Sequence, residues 1–198
     1  MLSAKKKMFE KFFDLFTIPL EKAGITPNQI TLLTPIFAVL FMALMAGGYY
    51  LPAVLTLVFS VFFDALDGHL ARRTKKASKY GAYLDTILDR YVEFIIYLTF
   101  LFLALPKIIF APEVWVSLCI FGSLMTTYSK AAFTEKTGRQ FSGGFLERAE
   151  RMLLIILGVI LLPVSPAYLA YILIILAILT NISALHRIIL ALRLCTLN

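Results

Sequence analysis

Cysteine and histidine are scarce: the 198 residues include two of each. Cys119 and Cys195 fall in separate apolar segments, too few and too scattered for a disulfide framework or a thiolate metal site, so both are expected to be packing residues. With no cluster of Cys and His, zinc is disfavoured. No Gly/Ser/Pro-rich linker, low-complexity tract or internal repeat interrupts the chain, and one domain over 1–198 is expected. The opening "MLSAKKKMFEKFFDLFTIPLEKAG" has lysines but no continuous apolar core before a small-residue cleavage site, so it does not read as a signal peptide. Charge is also thin, at 16% of residues.

Apolar side chains fill the space that charge leaves. They make up 60% of the chain, against about 45–50% in a soluble domain, which places it among integral membrane proteins. Six windows have the apolar length of a transmembrane helix: 28–47, 51–73, 81–105, 113–135, 147–164 and 167–193. The breaks "GGYYLP", "LPKIIFAPE" and "LPVSP" carry turn residues. Residues 4–20 set Met8, Phe9, Phe12, Phe13, Leu15 and Phe16 among Lys and Glu, the pattern of an amphipathic helix lying in the membrane interface; docking to a partner is the rival reading. The expected fold is therefore all-α and integral to the membrane, with an interfacial helix over 1–24 and a six-helix core over 28–193.

The cations orient this arrangement. Seventeen of the 19 Lys and Arg fall before the first span, at the second and fourth turns, or near the C-terminus. Of the other two, Arg90 lies near the same side and only Lys107 lies opposite. That imbalance predicts a multi-pass protein of the cell membrane with both termini cytoplasmic. The net charge of +7 then faces anionic headgroups, and no nucleic-acid partner is needed.

Against this background the stretch "DALDGHLARRTKKASKYGAYLDTILD", residues 64–89, stands out. Counted inward from the helix ends at Ala71 and Gly81, Asp67 and Asp85 lie roughly 6 Å deep, and Asp64 and Asp89 roughly 11 Å deep. In an antiparallel helix hairpin these depths match, and the i, i+3 and i, i+4 spacings keep each pair on one face. Four carboxylates in one volume repel each other unless protonated or neutralised by cations. Oxygen ligands from two helices suit Mg²⁺, Mn²⁺ or Ca²⁺, and two shared ions would neutralise four acids. The plainer alternative pairs these acids with Arg72, Arg73 and Lys79. Gly68 and Ala71 beside Asp67, and Gly81 one turn before Asp85, leave the backbone open to a bulky ligand, although small residues also serve close helix packing. His69 reads as a spacer.

The pattern D-x-x-D-G-x-x-A-R-x8-G-x-x-x-D-x-x-x-D, from Asp64 to Asp89, resembles the signature of the CDP-alcohol phosphatidyltransferase family at every fixed position. The six expected spans fit that family along the whole chain. The resemblance implies transfer of a phosphatidyl-type group from a CDP-linked lipid to an alcohol, with release of CMP. It implies that Asp64, Asp67, Asp85 and Asp89 hold two divalent ions, Mg²⁺ or Mn²⁺, and that Asp89 is the base for the acceptor hydroxyl. It places Asn28, Thr31, Asp67, Gly68, Ala71, Arg72, Ser78, Gly81 and Asp85 around the CDP group. It also implies a homodimer among membrane lipids, with the active site on the cytoplasmic side.

The stretch 127–158, with "YSKA" and "GGFLERAER", resembles phosphatidylinositol phosphate and archaetidylinositol phosphate synthases. "LHR" at 185–187 resembles their last helix, with His186 where Gln is usual. On that likeness Lys130, Arg151 and Arg187 are candidates to grip an acceptor phosphate, since Arg binds phosphate bidentately. Arg148 is a candidate too, assigned first to topology and headgroups. Inositol phosphate is the expected acceptor and glycerol 3-phosphate the alternative. The rival from another class is an ion-coupled transporter, because intramembrane carboxylates mark ion pathways. That reading gives no reason for the fixed Gly, Ala and Arg positions.

Overall fold

The structure, a computed structural model, describes residues 2–139 and 145–196. Gly143 and Gly144, part of the acceptor-related motif, lie outside the described residues. The described chain is helical: α1 Leu2–Lys22, α2 Pro27–Thr31, α3 Leu33–Ala46, α4 Tyr50–Arg73, α5 Lys79–Phe100, α6 Pro112–Thr137, α7 Arg148–Leu161 and α8 Pro166–Thr196.

Local chemistry explains the boundaries. Gly24, at φ +74°, turns the chain after α1. Pro27 then opens α2, and the Thr26 amide donates to Gln29 Oε1 at 2.8 Å, one half of a capping box. The first expected span is split at Leu32. Pro35 has no amide for the Thr31 carbonyl four residues back, and Thr34 Oγ1 donates to that carbonyl instead at 2.8 Å. The Ser78 hydroxyl caps α5 by accepting from the Gly81 amide at 3.0 Å. α5 ends at Phe100, five residues short of the expected boundary. The following turn is pinned by Trp115, whose Nε1–H donates to the Ile108 carbonyl at 3.0 Å.

Among the described residues, three helical stretches, Pro27–Ala46, Tyr50–Arg73 and Pro166–Thr196, are long and apolar enough to cross a bilayer. Large apolar residues such as Ile36, Leu55, Phe59, Phe121, Ile178 and Ile182 point outward along the helices. In water such a surface would drive association; in lipid it is the proper exterior. This is a multi-pass membrane protein. Inside, Phe41, Leu57, Tyr97, Val116, Ile155 and Leu173 form the main core, drawn from six helices. Gly122 lets α6 and α8 close together: a Cβ there would sit 2.8 Å from Asn181 Nδ2.

Two expectations change. First, α4 and α5 do not form a packed hairpin, since no pair of their Cα atoms comes within 8 Å beyond the chain turn itself. α2 and α3 pack against both of them, and α7 packs on α4. The gap between the two acid-bearing helices is what leaves room for a site. Second, α1 is docked as well as amphipathic. Phe13 is buried and stacks on Phe62 of α4 at 5.7 Å, and Arg73 pairs with Asp14 at 2.7 Å and Glu21 at 2.9 Å. His69 also faces α1, stacking on Phe13 and lying 3.5 Å from Thr17 Oγ1.

Candidate active site

α4 and α5 bring Asp64, Asp85 and Asp89 together, with one oxygen of each within 4.8 Å of the others. Asp67 lies beside this trio, buried against Thr31, and its Oδ2 has no hydrogen-bond partner. The acids are not paired with Arg72, Arg73 or Lys79 as the plainer alternative required; Arg73 is spent on α1. Their partner is Arg148, from the first turn of α7. A single nitrogen, Nη1, reaches Asp64 Oδ1 at 2.8 Å and Asp89 Oδ1 at 2.6 Å. Arg148 was expected first at the headgroups. Instead its side chain is 17% exposed and lies in the middle of the acids. One guanidinium against this group leaves it strongly negative, and oxygen ligands so close together suit a hard divalent cation.

A cavity of about 210 Å³ opens on one side of the acids. Asn28 and Thr31 line it from α2, Asp67, Gly68, Ala71 and Arg72 from α4, and Ser78, Gly81 and Asp85 from the α5 end. Every residue expected around the CDP group thus borders one space. Gly81 is crowded, because a Cβ there would come 2.9 Å from Asn28 Oδ1 and displace that side chain from the cavity wall. Gly68 is less crowded, with only Arg72 Nη1 at 3.4 Å from its would-be Cβ.

A second cavity of about 250 Å³ lies on the Arg148 side. Lys130, Arg148, Arg151 and Arg187, the four residues expected at an acceptor phosphate, line it together with Arg90 and Glu147. Arg187 Nη1 donates to the Thr126 carbonyl at 2.9 Å, which holds α8 against α6 there. The Nε atoms of Arg90, Arg148 and Arg187 are buried without a hydrogen-bond partner. Buried donors of this kind call for an acceptor, and an anion supplies several at once.

The sequence reading passed over Arg90 and Glu93. Glu93, 3% exposed, accepts from Arg90 Nη1 at 2.6 Å and from Arg151 Nε at 2.7 Å. The available signal was an acid set in "YVEFIIY", which must find a partner in a membrane core.

With the geometry in place, comparison with known proteins decides the family. Residues 24–190 match the CDP-alcohol phosphatidyltransferase description. The chain belongs to that family. It is 36% identical over 169 residues to a bifunctional IPC transferase and DIPP synthase of Aquifex aeolicus, which covers 79% of this chain. It is 34% identical over 144 residues to an archaetidylinositol phosphate synthase of Pyrococcus horikoshii, covering 70% of this chain and 71% of that one. The crystal structure of Mycobacterium tuberculosis phosphatidylinositol phosphate synthase with CDP-DAG bound superposes with a TM-score of 0.78 at 25% identity, over 91% of this chain and 94% of that one. The chain spans about a third of the length of the bifunctional relatives, 36% for the Aquifex protein and 29% for one from Archaeoglobus fulgidus.

Proposed function

We propose that the protein transfers a phosphatidyl-type group from a CDP-linked lipid to an inositol phosphate, releasing CMP. The observation that carries this reading is the carboxylate cluster set between two unlike cavities. The first offers small residues and the Asn28, Thr31 and Ser78 side chains, which suits a nucleotide laid against helix backbone. The second offers five cations against Glu147, which suits an acceptor bearing its own phosphate. A neutral alcohol would leave those charges unanswered. Similarity to the archaetidylinositol phosphate synthase of Pyrococcus and the phosphatidylinositol phosphate synthase of Mycobacterium supports inositol phosphate over glycerol 3-phosphate.

Asp64, Asp67, Asp85 and Asp89 would hold two divalent ions, Mg²⁺ or Mn²⁺. The residues fit that role, since Asp67 Oδ2 is buried without a partner and the other three acids lie too close for one guanidinium to neutralise. Such ions, when bound, would supply positive charge to the pyrophosphate, whose P–O bond between the lipid-bearing phosphorus and CMP is the one the reaction breaks. The protein's own work is to place both substrates on the acids and manage one proton. As the acceptor oxygen bonds to the lipid-bearing phosphorus, its hydroxyl proton passes to Asp89. Arg148 already occupies Oδ1 of Asp89, so the proton is received at the other oxygen or after Arg148 shifts.

The membrane arrangement follows the same reading. α2–α3, α4, α5, α6, α7 and α8 provide six spans of one domain, with the charges of α5 turned inward to the site. α1 lies in the cytoplasmic interface, docked on α4, and the active site opens to the cytoplasm. Two copies associate as a homodimer. The test is CMP release by purified protein given a CDP-lipid, Mg²⁺ or Mn²⁺, and each alcohol in turn. Release with inositol phosphate is expected. No release with any acceptor removes the enzyme reading, and release with glycerol 3-phosphate alone moves the acceptor to the alternative.

A further inference from the structure

We infer that Glu93 is a positioning residue for the acceptor, the buried carboxylate that holds Arg90 and Arg151 aimed into the cationic cavity. This rests on the proposed function only in taking that cavity as the acceptor's place. Glu93 lies one helical turn beyond Asp89 on the same face of α5. Each of its oxygens serves a different arginine: Oε2 takes Arg90 Nη1 at 2.6 Å, and Oε1 takes Arg151 Nε at 2.7 Å. Arg151 is fixed at a second point, where its Nη1 donates to the Leu146 carbonyl at 3.0 Å. Both arginines line the second cavity, whereas Glu93 does not. Glu93 therefore sits behind the cationic wall and acts on it from there.

A buried ion triad is a poor device for stability alone. Glu93 is 3% exposed and Arg151 is 2% exposed, so two charged groups have been stripped of water. Replacing a buried ionic triad by apolar residues of similar volume is often neutral or stabilising. The triad is instead suited to orientation. Arginine has a long side chain with many rotamers, and a cavity lined by mutually repelling arginines would scatter them. A shared carboxylate draws two of them to fixed positions and offsets one of their charges. Arg90 is then left with its Nε buried and without a partner, beside Asp89 in the chain. The same carboxylate thus ties the acceptor wall to the helix turn that carries the expected base.

The experiment uses the full chain and the variants Glu93→Gln and Glu93→Asp. For Glu93→Gln, the KM for inositol phosphate is expected to rise on the order of 10–100-fold. The KM for CDP-lipid should stay within about twofold, because Glu93 is not among the residues of the other cavity. Glu93→Asp keeps the charge but has one methylene less, so it should recover part of the lost affinity and secure folding if the Gln variant is unstable. Thermal protection by added inositol phosphate should weaken in both variants, while protection by CDP should not. Unchanged acceptor KM, or equal increases for both substrates, would overturn the inference. An inactive wild-type protein would count against the proposed function instead, and protection by inorganic phosphate would still report on Glu93.

Discussion

Adding one methyl group at Gly81 separates a nucleotide-binding role for the first cavity from a packing role for its small residues. Gly81 is the third residue of α5, and its Cβ would come 2.9 Å from Asn28 Oδ1 and 3.2 Å from Ser78 Oγ. Alanine is the better helix former by up to about 1 kcal/mol, so the fold should not suffer, and Tm should move by no more than about 2–4 °C. Asn28, however, must swing away. That removes one polar contact to the ligand, worth about 0.5–1.5 kcal/mol, and places a methyl in a space of only about 210 Å³. The lost contact alone corresponds to roughly a 2–13-fold rise in the KM for CDP-lipid, and the methyl adds to it. The acceptor KM should stay within about twofold, because Gly81 does not border the second cavity. Steady-state CMP release, varying each substrate in turn, makes the measurement. Unchanged CDP-lipid KM in a folded variant would refute the assignment of that cavity to the nucleotide.

Asp89→Asn should lower turnover roughly 10²–10⁴-fold while CDP-lipid binding survives, as measured by single-turnover CMP release and ligand-induced thermal protection. Arg148→Ala removes the cation that shares oxygens with Asp64 and Asp89, so Mn²⁺ followed by paramagnetic resonance should bind about tenfold tighter; weaker binding would show that Arg148 supports the metal rather than competing with it. Gly122→Leu drives a side chain into Thr180 and Asn181 of α8 and should cost about 1–3 kcal/mol, seen as a fall in Tm with both KM values near wild type.

Most of the site could be read from residue spacing because helix geometry is local. Once α4 and α5 were expected as helices, Asp64 and Asp67 had to share a face, and so did Asp85 and Asp89. The breaks at Gly47–Gly48 and Pro163–Pro166 were legible for the same reason, since turn chemistry is written in adjacent residues. What depends on tertiary packing was not legible. Spacing cannot say whether the backbones of two consecutive helices pack together, and α2 and α3 in fact pack against both α4 and α5, whose Cα atoms stay more than 8 Å apart while their aspartates meet. The role of Arg148 was hidden because nothing local distinguishes an arginine that starts a helix at the headgroups from one that reaches inward to two aspartates. The Pro35 break in the first span was written in the sequence but outweighed by the apolar run around it.

Arg148 joins the acids to the second cavity, since it pairs with Asp64 and Asp89 and lines that cavity as well. Fully ionised, the four aspartates would carry four negative charges, and Arg148, the partner of two of them, offsets one. A pyrophosphate brought into the neighbouring cavity would meet repulsion from whatever negative charge the acids keep. Two divalent ions reverse the sign and leave a small excess of positive charge to meet it, so on the proposed function nucleotide affinity depends on metal. Arg148 borders the other cavity, where an acceptor phosphate would compete for its guanidinium with Asp64 and Asp89. Whatever draws Arg148 toward that phosphate uncovers an oxygen of Asp89, the group expected to take the acceptor's proton. On the proposed function, an acceptor phosphate that drew Arg148 away would free the base as its substrate arrives, and without it the Arg148–Asp89 pair holds that carboxylate oxygen.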